Sequence, residues 1–328
     1  MTTAPLPKRV FITGAQGVIG QQLMRRYRDL GCEVRGMDLQ GNPEQGIVAA
    51  DLCQPKQWAH RVEGCELFIH TAAVVSLSAS WADYRRITVD GVRHALANAQ
   101  RAGCRRFVHF SSILAMGYDY VDGADEQAPV VIGKDCRYGV AKGASEHLVL
   151  AAHASGNIDC CIIRPGDVYG PGSRAWLLEP LKMARSGRLL LPNGGRGIFT
   201  PIYIDDLIDG TLLAAHSEAA SGQIFILWGG QTVSCGEFFS YHWRWAGRRG
   251  RPPSLPLQAA IPLTKAIQTL NRWRGVRDEA CPDTMRMFNR KGAFNGRKAR
   301  ELLGFKPKVS LAEGMEYSAQ WLREIGES

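Results

Sequence analysis

Near-continuous apolar runs recur over residues 9–13, 33–38, 47–50, 67–71, 106–110 and 160–164. Runs of that kind, apolar throughout rather than alternating, belong to parallel strands buried on both faces. Between them, apolar residues take helical spacing over 21–30, 81–101 and 138–154. Repeated strand–helix units predict a parallel sheet with right-handed crossovers, hence an α/β, doubly wound fold of the Rossmann type. The rhythm breaks after Tyr169-Gly170-Pro171-Gly172. A helical pattern over 175–185 and a turn-rich segment at 192–197 follow, then a helix start at 202–207 and a further strand at 224–228. The expected organisation is a dinucleotide-binding domain over 1–170, to which 201–228 returns. A smaller, discontinuous C-terminal substrate lobe is then built from 171–200 and 229–328.

Composition narrows the class. The chain has 328 residues, of which 45% are apolar, enough for a sizeable core. No apolar run approaches the length of a membrane span, and Met1 to Lys8 is too short and polar for a secretory signal. Nine scattered cysteines without a Cys-x-x-Cys pair fit reduced thiols in a cytoplasmic protein. The eight histidines show no ligand spacing, so no metal is expected.

Thr13-Gly14-Ala15-Gln16-Gly17-Val18-Ile19-Gly20 joins the first strand to a helix. Gly14 permits the tight turn, Gly17 lets backbone approach a pyrophosphate, and Gly20 allows close helix–strand packing. Gln16, Val18 and Ile19 complete a loop whose helix end favours phosphate. Asp38 ends the second strand, where a carboxylate accepts from the adenosine ribose hydroxyls. It would repel the extra phosphate of NADP by roughly 1–4 kcal/mol at about 4 Å, which favours NAD. Asp51 and Leu52, after the third strand, fall near the adenine edge.

Tyr138 and Lys142 stand at i, i+4, one helix turn apart on one face. A tyrosine of pKa near 10 is a poor base. An ammonium one turn away and a cationic nicotinamide would both favour the phenolate, so Tyr138 is the expected acid/base and Lys142 its partner and ribose holder. Ser112, at the end of the fifth strand, is expected to orient the substrate oxygen.

These residues together resemble the extended short-chain dehydrogenase/reductase superfamily, of the NAD-dependent epimerase/dehydratase kind. The resemblance rests on the glycine string at 13–20, Asp51-Leu52, His70-Thr71-Ala72-Ala73, Ser111-Ser112 and Tyr138/Lys142. Arg164-Pro165-Gly166-Asp167-Val168-Tyr169-Gly170 and Tyr203-Ile204-Asp205-Asp206-Leu207 extend it. It implies that Thr71, Ala72, Ala73, Pro165 and Val168 also line the dinucleotide, and that the protein is a homodimer through helices around 85–101 and 138–152. Within the superfamily, His-Thr-Ala-Ala and Ser-Ser-Ile-Leu-Ala-Met-Gly resemble the 3β-hydroxysteroid dehydrogenase-like branch, which acts on lipophilic alcohols and ketones. The strings at 164–172 and 203–207 are as typical of nucleotide-sugar epimerases. Phe199 stands where many sugar-nucleotide enzymes carry an arginine for the diphosphate, and a late Arg-Pro-x-Asp segment is missing. Ile113 and Leu114, in place of acidic residues after Ser112, disfavour dehydration. Asp90 replaces the family's usual asparagine, which is associated with bending of that helix. The resemblance therefore implies an NAD-dependent oxidoreductase of a hydrophobic, sterol-like or lipid-derived, secondary alcohol or ketone. The alternatives are a nucleotide-sugar 4-epimerase and a non-catalytic NAD-binding regulator.

Net charge is +9, and Tyr241 to Arg277 holds eight basic residues and no acidic one. Aromatic residues precede this stretch, and apolar ones recur at helical spacing within it. Three uses are open: contact with an anionic membrane surface, reception of an acidic substrate group, or packing of the apolar face into the smaller lobe. Nothing else in the sequence points to nucleic acid.

Overall fold

A computed structural model describes residues 5–133, 136–275 and 279–327; Met1 to Ala4 and Arg277 lie outside the described residues. Along the chain come β1 (Arg9–Thr13), α1 (Val18–Asp29), β2 (Glu33–Asp38), β3 (Ile47–Ala49) and β4 (Leu67–His70). Residues 81–101 form α2 (Trp81–Asp83), a π-helical turn (Tyr84–Asp90) and α3 (Gly91–Arg101), leading into β5 (Arg106–Phe110). Next are α4 (Arg137–Ala154), β6 (Asp159–Pro165), β7 (Asp167–Tyr169) and α5 (Glu179–Arg185). Then follow β8 (Leu191–Pro192), β9 (Ile198–Phe199), β10 (Pro201–Tyr203), α6 (Ile204–His216) and β11 (Ile224–Leu227). The chain closes with β12 (Val233–Ser234), α7 (Cys235–Trp245), β13 (Ser254–Leu255), α8 (Leu257–Trp273), α9 (Pro282–Met287), α10 (Arg297–Leu303) and α11 (Leu311–Glu324).

Seven strands form one sheet in the order β11-β6-β5-β4-β1-β2-β3, every pair parallel. The strand centres are sealed on both faces, with Val10, Phe11, Ile12, Phe107 and Val108 fully buried. That is why these segments are mainly apolar. The order reverses between β1 and β4, which opens a crevice beyond their carboxyl ends. β7 and β10 pair beside the sheet, and the short pairs β9–β12 and β8–β13 tie the later segments together. α10 returns to α6 and β11.

One hydrophobic cluster runs from the sheet into the later segments, joining Val10, Phe110 and Ile163 to Phe199, Phe238 and Met285. The widened π-turn ends at Asp90, whose carboxylate reaches Arg93 at 3.4 Å, so this helix departs from α-geometry with aspartate there. Gly139 and Gly143 have their small size used within the chain: a Cβ on the first would lie 2.7 Å from Cys136 Sγ, and one on the second 3.2 Å from Val130.

The aromatic, basic stretch splits in two. In α7, Phe238, Phe239 and Trp243 are buried against the core, so these aromatics are packing residues. α8, by contrast, buries only Ala260 and Thr264. Among the described residues, no helix is long and apolar enough to cross a membrane.

Candidate active site

The glycine loop leaves β1 with Gly14 at φ +68°, a backbone that L side chains rarely adopt. A Cβ there would sit 2.6 Å from Thr71 Oγ1 and 2.8 Å from the Ala72 nitrogen. A Cβ on Gly20 would fall inside the radius of the Gly14 carbonyl oxygen and 2.9 Å from Ala15 Cα. Gly17 is exposed and caps α1 without a side-chain bond. The first amides of the helix, Val18 and Ile19, have no carbonyl one turn ahead within it. This is a cradle that a dinucleotide pyrophosphate fits. Across it, Thr71, Ala72 and Ala73 leave β4 half-buried, and Val168 in β7 is half-buried while Pro165 is buried. Asp38 ties the loop to β2, accepting from Gln16 N–H at 2.9 Å and from Leu39 N–H at 2.7 Å.

Asp51 and Leu52, just after β3, make contacts within the chain. The Asp51 carboxylate accepts from Cys53 N–H (2.9 Å) and pairs with Arg86 (2.9 Å), contacts that hold it below the usual carboxylate range. The Leu52 side chain is buried, and a Cβ on Gly91 would lie 2.5 Å from it.

Ser112, Tyr138 and Lys142 converge at the carboxyl end of β5. Ser112 follows that strand and its Oγ accepts Leu114 N–H at 3.1 Å, and its nearby hydroxyl favours the Tyr138 phenolate. Tyr138 is half-buried in the first turn of α4, its ring 6.2 Å from that of Tyr84. Lys142 is buried, 6.0 Å from the Tyr138 ring centroid, and its Nζ donates to the Phe110 carbonyl at 2.8 Å. Burial pushes the Tyr138 phenol up to about 12, opposed by the Ser112 hydroxyl, and brings Lys142 down to about 8 despite the Glu146 charge. In the cofactor-free chain the lysine therefore loses its proton before the phenol does. Desolvation thus opposes the Tyr138 phenolate in the cofactor-free chain; the expected acidification rests on the Lys142 ammonium and the nicotinamide cation together.

Beneath this cluster lies a polar layer that sequence reasoning missed. His70 and His109 are register partners on β4 and β5, and their rings stack 5.6 Å apart. Thr13 Oγ1 meets His70 Nδ1 at 2.8 Å, while His109 Nε2 meets Ser145 Oγ at 2.8 Å and Ser145 donates to the Lys142 carbonyl at 2.7 Å. Burial lowers His70 to about 3 and His109 well below its ordinary value, so both are neutral. Beside them, Ser111 donates to Glu146 at 2.5 Å, and Arg164 grips the same carboxylate with two bonds of 2.8 and 2.7 Å. The only available signals were the i, i+4 spacing of Lys142 and Glu146 and the shared polarity of two neighbouring strands.

On the other wall, Phe199 is fully buried among Trp176, Phe238 and Phe239, whereas Arg196 is exposed. Arg290, also buried, is paired with Asp167, whose Oδ2 further accepts from Thr200 N–H at 3.0 Å. A cavity of about 740 Å³ lies between α4, α8 and α9; Arg137, Val140, Ile261 and Pro282 line it, and neither Tyr138 nor Ser112 does.

The sequence profile of the NAD dependent epimerase/dehydratase family matches residues 10–227. A 4-hydroxy-2-methyl-3-oxo-4-farnesyl-3,4-dihydroquinoline-1-oxide ketoreductase of Stigmatella aurantiaca is 27% identical, over 94% of this chain and 95% of that protein. A 3-beta-hydroxysteroid dehydrogenase of Mycolicibacterium neoaurum is 26% identical, over 94% and 89%. The fold resembles that of UDP-glucose 4-epimerase from Thermotoga maritima, with a TM-score of 0.78 at 20% identity over 97% of this chain and all of that one. At that identity the likeness concerns the fold alone.

Proposed function

The chain belongs to the NAD dependent epimerase/dehydratase family, and from that premise we propose an NAD-dependent dehydrogenase or reductase acting on a secondary alcohol or ketone of a hydrophobic, sterol-like or lipid-derived substrate. The observation that carries this reading is the convergence of Ser112, Tyr138 and Lys142 at the carboxyl end of β5, across the crevice from the glycine loop. The bound dinucleotide supplies the two-electron oxidant or reductant. In oxidation, the Tyr138 oxygen takes the hydroxyl proton of the alcohol while its C–H bond breaks. In reduction it returns that proton to the forming alkoxide. Ser112 Oγ orients the substrate oxygen, and Lys142 holds the nicotinamide ribose. The residues 171–200 and 229–328 form the substrate side. Asp38 favours NAD, since its remaining lone pairs suit ribose hydroxyls and its charge opposes a 2′-phosphate.

One observation supports a lipophilic substrate over a sugar nucleotide. Phe199 lies in an aromatic cluster and brings no charge to a diphosphate. The names of the ketoreductase and hydroxysteroid dehydrogenase relatives point the same way. The test is a panel of hydroxysteroids and long-chain hydroxy compounds followed by nicotinamide absorbance with NAD and with NADP. Net reduced cofactor with NAD is expected. Interconversion of UDP-sugars without net absorbance change would replace the proposal with a 4-epimerase, and NAD binding without turnover of either class would leave a regulator.

A further inference from the structure

We propose that α8 docks the protein on an anionic lipid surface. A surface helix normally turns only its polar face outward, whereas α8 also leaves apolar residues exposed. Leu263, Ile267, Leu270 and Trp273 are 42%, 36%, 46% and 84% exposed. At about 100° per residue they fall, with Pro262 and Ala266, on a single apolar stripe roughly 140° wide. Ala260 and Thr264, the helix's buried residues, sit on the side facing the body of the protein. The apolar surface of the helix thus runs well beyond the part that the chain covers.

Charge selects the occupant. Lys265 and Arg272 border the stripe and Arg274 caps its end, all three exposed. From Tyr241 to Gly275 the chain carries no acidic residue. A second copy seated on the same stripe would bring two such cationic borders together, whereas an anionic bilayer offers hydrocarbon to the stripe and phosphate to its edges. Trp273, at the helix end, is the side chain suited to the headgroup level. Arg248 is excluded from this role: it donates to the Arg185 carbonyl at 2.7 Å and stacks 5.1 Å from the Trp243 ring.

The experiment is co-sedimentation of the full chain with phosphatidylcholine vesicles containing or lacking phosphatidylserine. Binding to the anionic vesicles is expected, with a blue shift of tryptophan emission that Trp273→Phe removes. The triple substitution Lys265→Gln, Arg272→Gln, Arg274→Gln should weaken that binding on the order of a hundredfold, from about fivefold per charge near the surface. Leu263→Asn, Ile267→Asn, Leu270→Asn should abolish it while NAD binding stays unchanged and the chain still unfolds cooperatively, because these side chains lie at the surface and outside the dinucleotide site. Failure of the native chain to sediment with anionic vesicles overturns the proposal. So does a native dimer or oligomer that the asparagine variant turns into monomer, since the stripe would then belong to a second copy.

Discussion

Replacing Tyr138 with phenylalanine should remove a pH dependence that the native chain displays. Burial sets the phenol at about 12 in the cofactor-free protein. At pH 7 only about one molecule in 10⁵ would then carry a phenolate. A unit cation brought within about 4 Å, at an effective dielectric near 20, favours the ionised form by about 4 kcal/mol. That equals about three pH units and brings the phenol to about 9. Lys142 titrates near 8, so its ammonium is fading where the phenol ionises and adds little further. Oxidation requires the phenolate, so with saturating NAD and a hydroxysteroid its rate should climb about tenfold per pH unit from 6 to about 9 and then level. Reduction requires the phenol and should weaken above about 9. Tyr138→Phe should cost roughly 10²–10⁴ in rate and flatten the slope while retaining NAD binding by fluorescence titration. A variant that keeps the slope, or a native rate flat between pH 6 and 9, refutes Tyr138 as the acid/base.

Three more outcomes follow from the packing. Gly20→Ala forces a methyl against the Gly14 carbonyl; it should lower stability by about 1–3 kcal/mol in urea unfolding and weaken NAD binding in parallel. Glu146→Gln removes the charge that faces Arg164 inside the core; loss of a buried partner of this kind costs about 3–5 kcal/mol, read as a lower urea midpoint. His70 and His109 are buried neutral, with folded pKa values below the unfolded value. Between pH 6.5 and about 3 the unfolded chain binds the extra protons, so stability is full above pH 6.5 and falls as pH drops below it. Each histidine adds up to about 1.4 kcal/mol per pH unit to that fall, and His70→Asn should reduce the slope measured by urea titrations at stepped pH.

The six strands of the first 165 residues were readable because burial on both faces leaves mainly apolar side chains in them. Tyr138, Lys142 and the glycine loop were readable for a related reason: their geometry is set by short spacings within single elements. The rest depends on distance along the chain. His70 and His109 become neighbours only through the β4–β5 register, and Glu146 meets Arg164 across a helix–strand packing. β7 and β10 hold three residues each, and the smaller strand pairs two per strand, too short for a period to show. For α8 the amphipathic spacing was visible, but which of its faces met the protein was not. For Lys142 and Tyr138, sequence gives their separation, whereas the desolvation that opposes the phenolate in the cofactor-free chain comes from everything packed around them.

The pairing of Asp167 with Arg290 spans 123 positions of sequence and lies wholly out of solvent. Neither charge tolerates burial without the other. The strand that follows β6 and the segment after α9 must therefore come together or fail together. Heating or denaturant should melt the chain as one cooperative body, and a protease nick in the connecting loops should release no separately stable fragment.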